Sequence, residues 1–492
     1  MTYSLVEQTG LNTARRLPLA FAGAAACYLL LLVLGARLLN DPDTFWQIAV
    51  GDWIVAHRAL PHADVFSSSM AGAPWISTQW LAQVIFAQTF ALAGWTGLVA
   101  LSATAIAGAF GLLIHFLHRT LPAGAALVLA LGALVLASPH LVARPHVLAL
   151  PVMVIWAAGL VRAVDDRRAP SFALLPLMTL WANLHGGFVL GIALIAPLAL
   201  EALLQNGAAE RWRALSRWAV FALLALAASC ITPYGPQSLL ATARILRLGE
   251  ALSLIAEWQP QDFSVFGGFE LCLMAAAGYA LYRGLTLPPI RILLVFGLLH
   301  MALAHVRNGE VLGFIGPLLV AAPLAPQIGR RDPAVGNAGA PVRAPVLVVL
   351  VMLAAVSYAA AQTMQYMPNP RFAPQAAVAA VKASGKTRIL NSYDFGGYLI
   401  ASGIAPYIDG RTELYGEDFV VRHHRALMLQ DLDQFLRLLH DANIDVTLLE
   451  AGTPAIGLLD HLPGWKRIYA DDVAVVHVRS EASANGGKDV LR

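Results

Sequence analysis

The residues best suited to chemistry stand in a few short polar segments between long apolar runs. The sharpest of these segments contains Asp41 and Asp43, separated by Pro42. A carboxylate held at a membrane surface can act as a general base, or it can hold a divalent cation such as Mg²⁺ or Mn²⁺ against a phosphate leaving group. Asp43 and Asp41 are therefore the candidate catalytic residues, and also the candidate metal ligands if the reaction depends on a metal. The alternative is that the two acids only cap the helix that follows them.

The residues after this acidic pair predict an amphipathic helix that lies in the membrane interface. Pro42 favours a helix start at this point. Apolar and aromatic residues, among them Phe45, Trp46 and Trp53, then recur at helical spacing. Two carboxylates are thus expected on a rigid element at the membrane surface.

Other polar segments supply candidates for binding a substrate. An arginine at the start or end of a helix can grip a phosphate, and a nearby histidine can share that role. Aromatic rings pack on sugar rings, and amide or imidazole groups can reach hydroxyls. The alternatives are snorkelling at the interface and hydrogen bonding between helices. These candidates are Arg144, His146, Asn183, His185, Glu257, Trp258, His305 and Arg307.

The elements that position these residues are predicted to be membrane helices. Hydrophobic residues make up 58% of the chain and charged residues only 13%, with a mean hydropathy of +0.64. Soluble domains carry about 25% charged residues. Since about 20 apolar residues span a bilayer, we expect about eleven crossings, with 77–95 lying along the outer surface or re-entering. The predicted crossings are 17–39, 97–117, 121–138, 147–163, 171–185, 187–205, 216–232, 264–283, 288–305, 310–327 and 345–365.

Charge distribution orients the chain and limits its partners. Loops rich in Arg alternate with the polar segments described above, which places the N-terminus in the cytoplasm and the candidate site on the opposite face. We therefore expect a multi-pass protein of the bacterial inner (plasma) membrane. The net charge of +3 is spread over short loops, so nucleic acid is not a favoured partner.

The residues after the last crossing predict a small α/β domain. It spans 367–480, after a membrane domain of 1–366 whose long first external loop is 40–76, and a polar tail at 481–492 is predicted to be disordered. Helices are expected at 374–384, 432–442 and 455–459, strands at 388–392, 406–409, 445–449, 465–470 and 473–479, and a helix or strand at 397–402. Asp394, Tyr398, Asp409 and Arg411 are candidates for an acceptor-binding edge or for a contact surface to the membrane domain, and structural turns would account for the same residues equally well.

The order of these features resembles the GT-C superfamily of membrane glycosyltransferases. That superfamily includes oligosaccharyltransferases, protein O-mannosyltransferases and aminoarabinose transferases. The resemblance rests on a first membrane helix, an acidic pair, an interfacial helix, and Pro74-Trp75 before a Trp-rich second helix. Asp43, followed by two aromatics, matches the oligosaccharyltransferase pattern, whereas Asp41 matches the spacing of the other two groups. The chain departs from the pattern because Pro42 replaces the second acid of an Asp-Glu pair and no WWD-like motif is found.

The resemblance implies a fold and an activity. The fold would be a polytopic α-helical membrane domain of about 11–13 helices with a small C-terminal α/β domain. The enzyme would transfer a sugar, with inversion, from a polyprenyl-phosphate carrier to an extracytoplasmic glycan, lipid or protein acceptor. Two further hypotheses remain at this stage: a transporter or flippase for a lipid or glycan, and a non-catalytic membrane scaffold.

Overall fold

The computed structural model describes residues 18–245, 248–329 and 343–480. The predicted tail at 481–492 lies outside these residues. The described part of the membrane domain is built from helices because its sequence is a succession of apolar runs separated by Pro, Gly and short polar segments. These helices are α1 (Leu19–Val33), α2 (Gly35–Leu38), α3 (Asp43–His57), α4 (Trp80–His118), α5 (Ala123–Ala137), α6 (Pro145–Asp165), α7 (Leu175–Leu184), α8 (Phe188–Ala193), α9 (Ile195–Gln205), α10 (Ala208–Ser229), α11 (Gln237–Ile245), α12 (Gly249–Ser253), α13 (Gly268–Arg283), α14 (Pro289–Ala304), α15 (Gly309–Ile328) and α16 (Arg343–Thr363).

The lengths of these helices confirm a polytopic membrane protein. Within the described ranges, six helical stretches are long and apolar enough to cross a bilayer. They are Trp80–His118, Ala123–His140, Pro145–Asp165, Phe188–Gln205, Val306–Ile328 and Val346–Thr363, and the shorter apolar stretches are Leu19–Val33, Phe172–Leu184 and Pro289–Ala304. Each of these stretches overlaps one of the predicted crossings.

Helix α4 shows why the stretch 77–95 differs from its neighbours. Its 39 residues are interrupted at Ala93 and Gly94, where φ of Gly94 is +56°. A straight helix of this length would measure about 58 Å, nearly twice the hydrocarbon core of a bilayer. The break separates an N-terminal part, which packs on α3, from the apolar part that follows. Gln83 in the N-terminal part is fully buried, and the hydrogen bond that its Nε2 donates to Gln47 Oε1 of α3 at 2.8 Å offsets the cost of burying this amide.

The helix predicted after the acidic pair is confirmed as α3, while its position in the membrane interface stays a prediction. It begins at Asp43, directly after Pro42. Its aromatic residues do not lie on an open surface, because Trp46 and Trp75 pack in one buried cluster and Phe45 contacts Tyr398 of the C-terminal domain at 5.1 Å between ring centroids. The helix is therefore enclosed between the membrane helices and the C-terminal domain.

The C-terminal domain is a four-stranded sheet with helices. Its strand order is β1-β2-β4-β3, with β1 parallel to β2 and the other pairs antiparallel. Most of the predicted elements are found within two residues, and 397–402 is a helix. The elements are α17 (Gln375–Ala383), β1 (Ile389–Asn391), α18 (Gly396–Ala401), α19 (Thr412–Tyr415), α20 (Glu417–Leu427), α21 (Leu432–Asp441), β2 (Val446–Glu450), α22 (Ala455–Leu459), β3 (Trp465–Ala470) and β4 (Ala474–Arg479).

The predicted strand at 406–409 is wrong, because this segment pairs with side chains and with the first loop instead of the sheet. The Asn391 side chain accepts from Tyr407 N at 2.8 Å and donates to Ile408 O at 2.8 Å. Ser68 N of the first loop donates to Pro406 O at 2.9 Å. The segment is thereby held as a bridge between the two parts of the chain.

A buried ion cluster fastens the C-terminal domain to the first external loop. Arg411 is fully buried, and its Nη1 lies 2.5 Å from Asp64 Oδ1, while its Nη2 lies 2.6 Å from Asp409 Oδ2. The guanidinium also stacks over the ring of Trp75, with 4.8 Å between Cζ and the ring centroid. Asp409 and Arg411 therefore take part in a contact between the C-terminal domain and the first loop, while a role of these residues in binding an acceptor stays a prediction.

Replacing Arg411 by Met is expected to release the C-terminal domain from the first loop. The substitution leaves Asp64 and Asp409 buried without their cation, which costs about 3–5 kcal/mol when one partner of a buried pair is removed. A lower midpoint of thermal unfolding and faster proteolysis after residue 366 are the readouts. Arg371→Met is the matched control, since Arg371 pairs with Glu450 at an exposed site and should change stability by less than about 1 kcal/mol. Equal stability of the two variants would contradict this role of Arg411.

Candidate active site

Arg144 is the centre of the polar site, because its guanidinium contacts three carboxylates. It precedes Pro145, which begins α6. Its Nε lies 3.1 Å from Asp41 Oδ1, its Nη2 contacts Asp43 Oδ2, and its Nη1 contacts Glu257 Oε2. Acids from the first loop and from the segment before α13 are thus joined by one cation.

The two first-loop acids take part in capping as well as in this ion cluster. Asp43 N donates to Asp41 Oδ1 at 2.8 Å, so Asp41 satisfies an amide at the start of α3. Thr44 Oγ1 donates to Ala143 O at 3.0 Å, which fixes the start of α3 beside the residue that precedes Arg144. Burial raises the pKa of Asp41 to about 6, although Arg144 favours its charged form.

Glu257 connects Arg144 to the second arginine of the site. Arg307 Nη1 lies 2.8 Å from Glu257 Oε1, and the Arg307 guanidinium stacks on Trp258 with 4.5 Å between Cζ and the ring centroid. Burial acts to raise the pKa of Glu257, but the neighbouring guanidinium groups of Arg144 and Arg307 hold it well below its usual value. Glu257 is therefore a carboxylate that stays charged inside the protein.

A second cluster, of His140, His146 and Glu310, lies next to Glu257. His140 Nδ1 is 3.1 Å from Glu310 Oε2, His146 Nε2 is 3.5 Å from the same oxygen, and His140 Nε2 is 3.3 Å from Glu257 Oε2. All three residues are buried, and their potential ligand atoms lie within 4.8 Å of one another. Although His140 Nδ1 and Glu310 Oε2 form a close ion pair, neither atom has a partner with hydrogen-bond geometry among the described residues. His146 Nε2 also lies 2.9 Å from His140 O, so it would have to exchange that contact for a metal ion. With that exchange, two imidazoles and a carboxylate could hold a metal ion.

These groups line a cavity of about 490 Å³ between the membrane domain and the C-terminal domain. Its polar part holds Asp43, the two arginines and the histidine cluster, and it continues into a part lined by apolar side chains. The predicted site residues on its wall are Asp43, Arg144, His146, His185, Glu257, Trp258 and Arg307. Asp41 joins the site through Arg144.

The remaining candidates have other contacts. Asn183 lies between helices, where it accepts from Trp80 Nε1 at 2.8 Å and donates to Ile231 O at 2.9 Å. His305 Nδ1 is 2.7 Å from Trp258 O, and this contact holds the backbone of Trp258 in place. Tyr398 contacts Phe45 between the domains. Burial raises the pKa of Asp394 to about 6, with the charge of Glu450 as a further cause, and Asp41 is among the charges near it.

Several residues of the site had no clear signal in the sequence. His140 stands in a short polar segment, but its pairing with Glu310 joins positions 170 residues apart. Glu310 follows Arg307 by three residues, and this spacing would place both side chains on one face of a helix. The spacing is a weak signal, because an acid in the first turn of a helix more often serves only to interact with the helix dipole. Gly410 and Glu413 of the C-terminal domain also line the cavity.

The chain is similar in fold, over nearly its whole length, to solved structures of membrane glycosyltransferases. Oligosaccharyltransferase AglB from Archaeoglobus fulgidus, in complex with an inhibitory peptide and a dolichol-phosphate, aligns with a TM-score of 0.57 at 11% identity, over 94% of this chain and 74% of that one. ArnT from Cupriavidus metallidurans, bound to undecaprenyl phosphate, aligns with a TM-score of 0.50 at 15% identity, over 92% and 97%. The chain has the GT-C fold. AglB in complex with Zn and sulfate gives a TM-score of 0.52 at 10% identity, over 94% and 73%.

The sequence itself matches no protein-family model and no curated protein. The GT-C fold expected from the acidic pair, the interfacial helix and the following aromatics is thus confirmed by structure, where sequence identity is too low to show it. The likeness establishes the fold of the membrane domain and leaves the chemistry to be argued from the site.

The raised pKa of Asp394 predicts a specific pH dependence of stability in this GT-C chain. Because its pKa is about 6 in the folded protein and 3.8 in the reference state, its contribution to stability is complete below about pH 4 and is lost as the pH rises to 6. Each unit of pKa difference corresponds to about 1.4 kcal/mol. Thermal melts of wild type and Asp394→Asn should therefore converge, or cross in favour of the variant, between pH 4 and 7. Asp441→Asn, at an exposed position, should track wild type, and a pH-independent difference for Asp394→Asn would refute the prediction.

Proposed function

We propose that this chain is a membrane glycosyltransferase that takes a sugar from a polyprenyl-phosphate carrier and transfers it to an acceptor on the extracytoplasmic side. The observation that carries the proposal is the form of the cavity, in which a charged end is continuous with an apolar groove. The groove is lined by Ala149, Leu150, Met153, Val189, Leu190, Ala193, Ile245, Leu248, Leu252, Ile255, Met301 and Val311. Such a cavity suits a molecule with a phosphate head and a long hydrocarbon tail. AglB and ArnT, with the same fold, are described with dolichol-phosphate and undecaprenyl phosphate.

In this proposal Arg307 binds the donor phosphate, and Arg144 organises the acids. All three nitrogens of the Arg144 guanidinium are occupied by Asp41, Asp43 and Glu257. Among the residues that the structure describes, Arg307 has only Nη1 paired with a carboxylate, and it lies on the cavity wall. A planar guanidinium with free N–H groups matches a phosphate and stabilises the charge that develops as it leaves.

Asp43 is the proposed proton acceptor. Its Oδ2 contacts Arg144 and its side chain lies on the cavity wall, whereas Asp41 is turned to the start of α3. The acceptor oxygen forms a bond to C1 of the sugar while the bond from C1 to the phosphate oxygen breaks. The proton passes to Asp43, and the lipid phosphate leaves with the electron pair. A single displacement of this kind inverts the configuration at C1.

The cluster of His140, His146 and Glu310 is the proposed metal site. Two imidazoles and a carboxylate, with orphaned buried atoms, fit a zinc-type ion better than Mg²⁺, which prefers oxygen ligands. When bound, such an ion would supply Lewis-acid stabilisation of phosphate charge. The first-loop acids are less suited as ligands because Arg144 already contacts both of them. AglB with the same fold is described in complex with Zn.

The location follows from the same proposal. A site that receives a lipid-linked sugar from the membrane and an acceptor from water must open at the membrane surface. The loops rich in Arg then lie in the cytoplasm, and the first loop and C-terminal domain lie on the extracytoplasmic side of the bacterial inner membrane, where cell-envelope glycans are assembled.

Substitution of Asp43 by Asn separates donor binding from transfer. The purified variant is expected to bind undecaprenyl phosphate within about threefold of wild type, since Arg307 and the groove are intact. Cells that carry only this variant should lack the sugar that the enzyme adds to its envelope acceptor, as measured by mass spectrometry of extracted glycans. The physical reason is the loss of the proton acceptor, with an effect of at least 100-fold on rate.

Arg307→Met and Arg168→Met are the comparison pair for this experiment. Arg307→Met should weaken binding of undecaprenyl phosphate at least tenfold, because it removes a cation from the cavity wall, whereas Arg168 is exposed and pairs with Asp166 away from the cavity. Unchanged glycans in the Asp43→Asn strain at normal protein levels, or no binding of undecaprenyl phosphate by wild type, would count against the proposed function.

Metal content tests the histidine cluster directly. Purified wild type is expected to contain about one zinc ion per chain by elemental mass spectrometry, and His146→Ala and Glu310→Gln should each lose at least 90% of it. His461→Ala, at an exposed position, is the control and should retain the metal. The cluster would be excluded as the metal site if Asp41→Asn lost the ion while His146→Ala kept it.

A further inference from the structure

The C-terminal domain forms part of the wall of the cavity, next to Asp43. It contributes Tyr393, Gly410, Thr412 and Glu413. Gly410 touches the site so closely that a Cβ at this position would overlap the Asp43 carboxylate and lie 2.9 Å from Trp46 Nε1. The segment 410–413 is therefore fixed beside the proposed proton acceptor.

Glu413 differs from the other carboxylates on the cavity wall. Asp43 contacts Arg144, Glu257 contacts both arginines, and Glu310 contacts the two histidines. In the described part of the chain, the carboxylate of Glu413 has one hydrogen bond from a side chain, from Trp75 Nε1 to Oε1 at 3.1 Å. Glu413 is thus a cavity carboxylate with no ion pair to a basic side chain among the residues that the structure describes.

The nearby cation is already committed elsewhere. Arg411 is two residues away, but its guanidinium is occupied by Asp64 and Asp409 and is fully buried. Glu413 itself is exposed, and its exposed surface faces the cavity that it lines. Trp75, which holds Oε1, is in turn fixed under the Arg411 guanidinium. Trp75 therefore positions Oε1 of Glu413, and Oε2 has no side-chain partner in the described part of the chain.

An unpaired carboxylate inside a cavity is costly unless a hydrogen-bond donor reaches it. Although water reaches the residue, the protein atoms around the cavity desolvate its carboxyl group, and this desolvation raises the pKa of Glu413. The donor phosphate would not fill this role, because two anions repel each other, and the apolar groove carries the lipid. What remains to enter from the side of the C-terminal domain is the acceptor.

We propose that Glu413 binds the acceptor, by accepting a hydrogen bond from a hydroxyl or ammonium group and holding it beside Asp43. This inference rests on the proposed function. It also excludes a class of substrate, since an acceptor whose reacting end is a phosphate would meet a second negative charge at Glu413. The segment 410–413 then selects acceptors that present neutral or cationic polar groups.

The experiment uses one probe for each end of the cavity. Undecaprenyl phosphate reports the donor end, and glucosamine, compared with glucose, reports the acceptor end, each by titration of purified full-length protein. Glu413→Gln should weaken glucosamine binding at least tenfold and leave undecaprenyl phosphate binding within twofold. Trp75→Phe, which removes the hydrogen bond to Oε1 and retains a ring under Arg411, should weaken glucosamine binding less. Glu210→Gln, at an exposed position on α10, should change neither.

The two sugars distinguish the acceptor groups. Tighter binding of glucosamine than of glucose to wild type assigns an ammonium partner, and equal affinities, both lost in Glu413→Gln, assign a hydroxyl. Sugar binding that is unaffected in Glu413→Gln, or undetectable in a wild type that binds undecaprenyl phosphate, overturns the role of Glu413. Failure of wild type to bind undecaprenyl phosphate would instead contradict the proposed function.

Discussion

The contact of Arg144 with three carboxylates is the interaction on which the rest of the site depends. Asp41 and Asp43 belong to the first loop, and Glu257 belongs to a segment more than 200 residues later. Burying so many charges is costly, and only close pairing with good geometry offsets the cost. The guanidinium therefore fixes the distance between the start of α3, the start of α6 and the segment before α13. With these three elements set, Arg307, the histidine cluster and the cavity wall take their positions.

A guanidinium at this point has a chemical consequence for the acids. A divalent cation bound between carboxylates can leave, be exchanged, or gain a phosphate ligand. Arg144 is covalently part of the chain and has a fixed number of N–H groups, all of whose nitrogens are engaged. In the proposed function, the tasks of arranging the acids and of meeting the donor phosphate therefore fall to different groups: Arg144 for the first, and Arg307 with the His140–His146–Glu310 cluster for the second. Because Arg144 already engages the first-loop acids, the proposed metal ion is assigned to His140, His146 and Glu310 and not to Asp41 and Asp43.

Much of the fold could be predicted from the sequence, because apolar runs and helical spacing are local properties. The helix that begins at Asp43 and the helix and strand of 374–391 were found within two residues for that reason. The strand predicted at 406–409 failed because the side chain of Asn391 takes the place of a neighbouring strand. The site was predictable as a set of residue types, but the partners were not. Arg411 and Asp64 are 347 positions apart, and nothing in the spacing of either one indicates the other.

That separation along the chain also matters for how the molecule is made. Asp64 and the acids of the first loop are synthesised before Arg411, which follows Asp64 by 347 residues, and before the segment 410–413 that lines the cavity beside Asp43. Until then Asp64 is without its cation and the cavity lacks one wall. A nascent or truncated chain therefore contains the acids and arginines of the site but lacks the wall that encloses the cavity. The cavity beside Asp43 is therefore complete only after the segment 410–413 of the C-terminal domain has been made and has docked on the first loop.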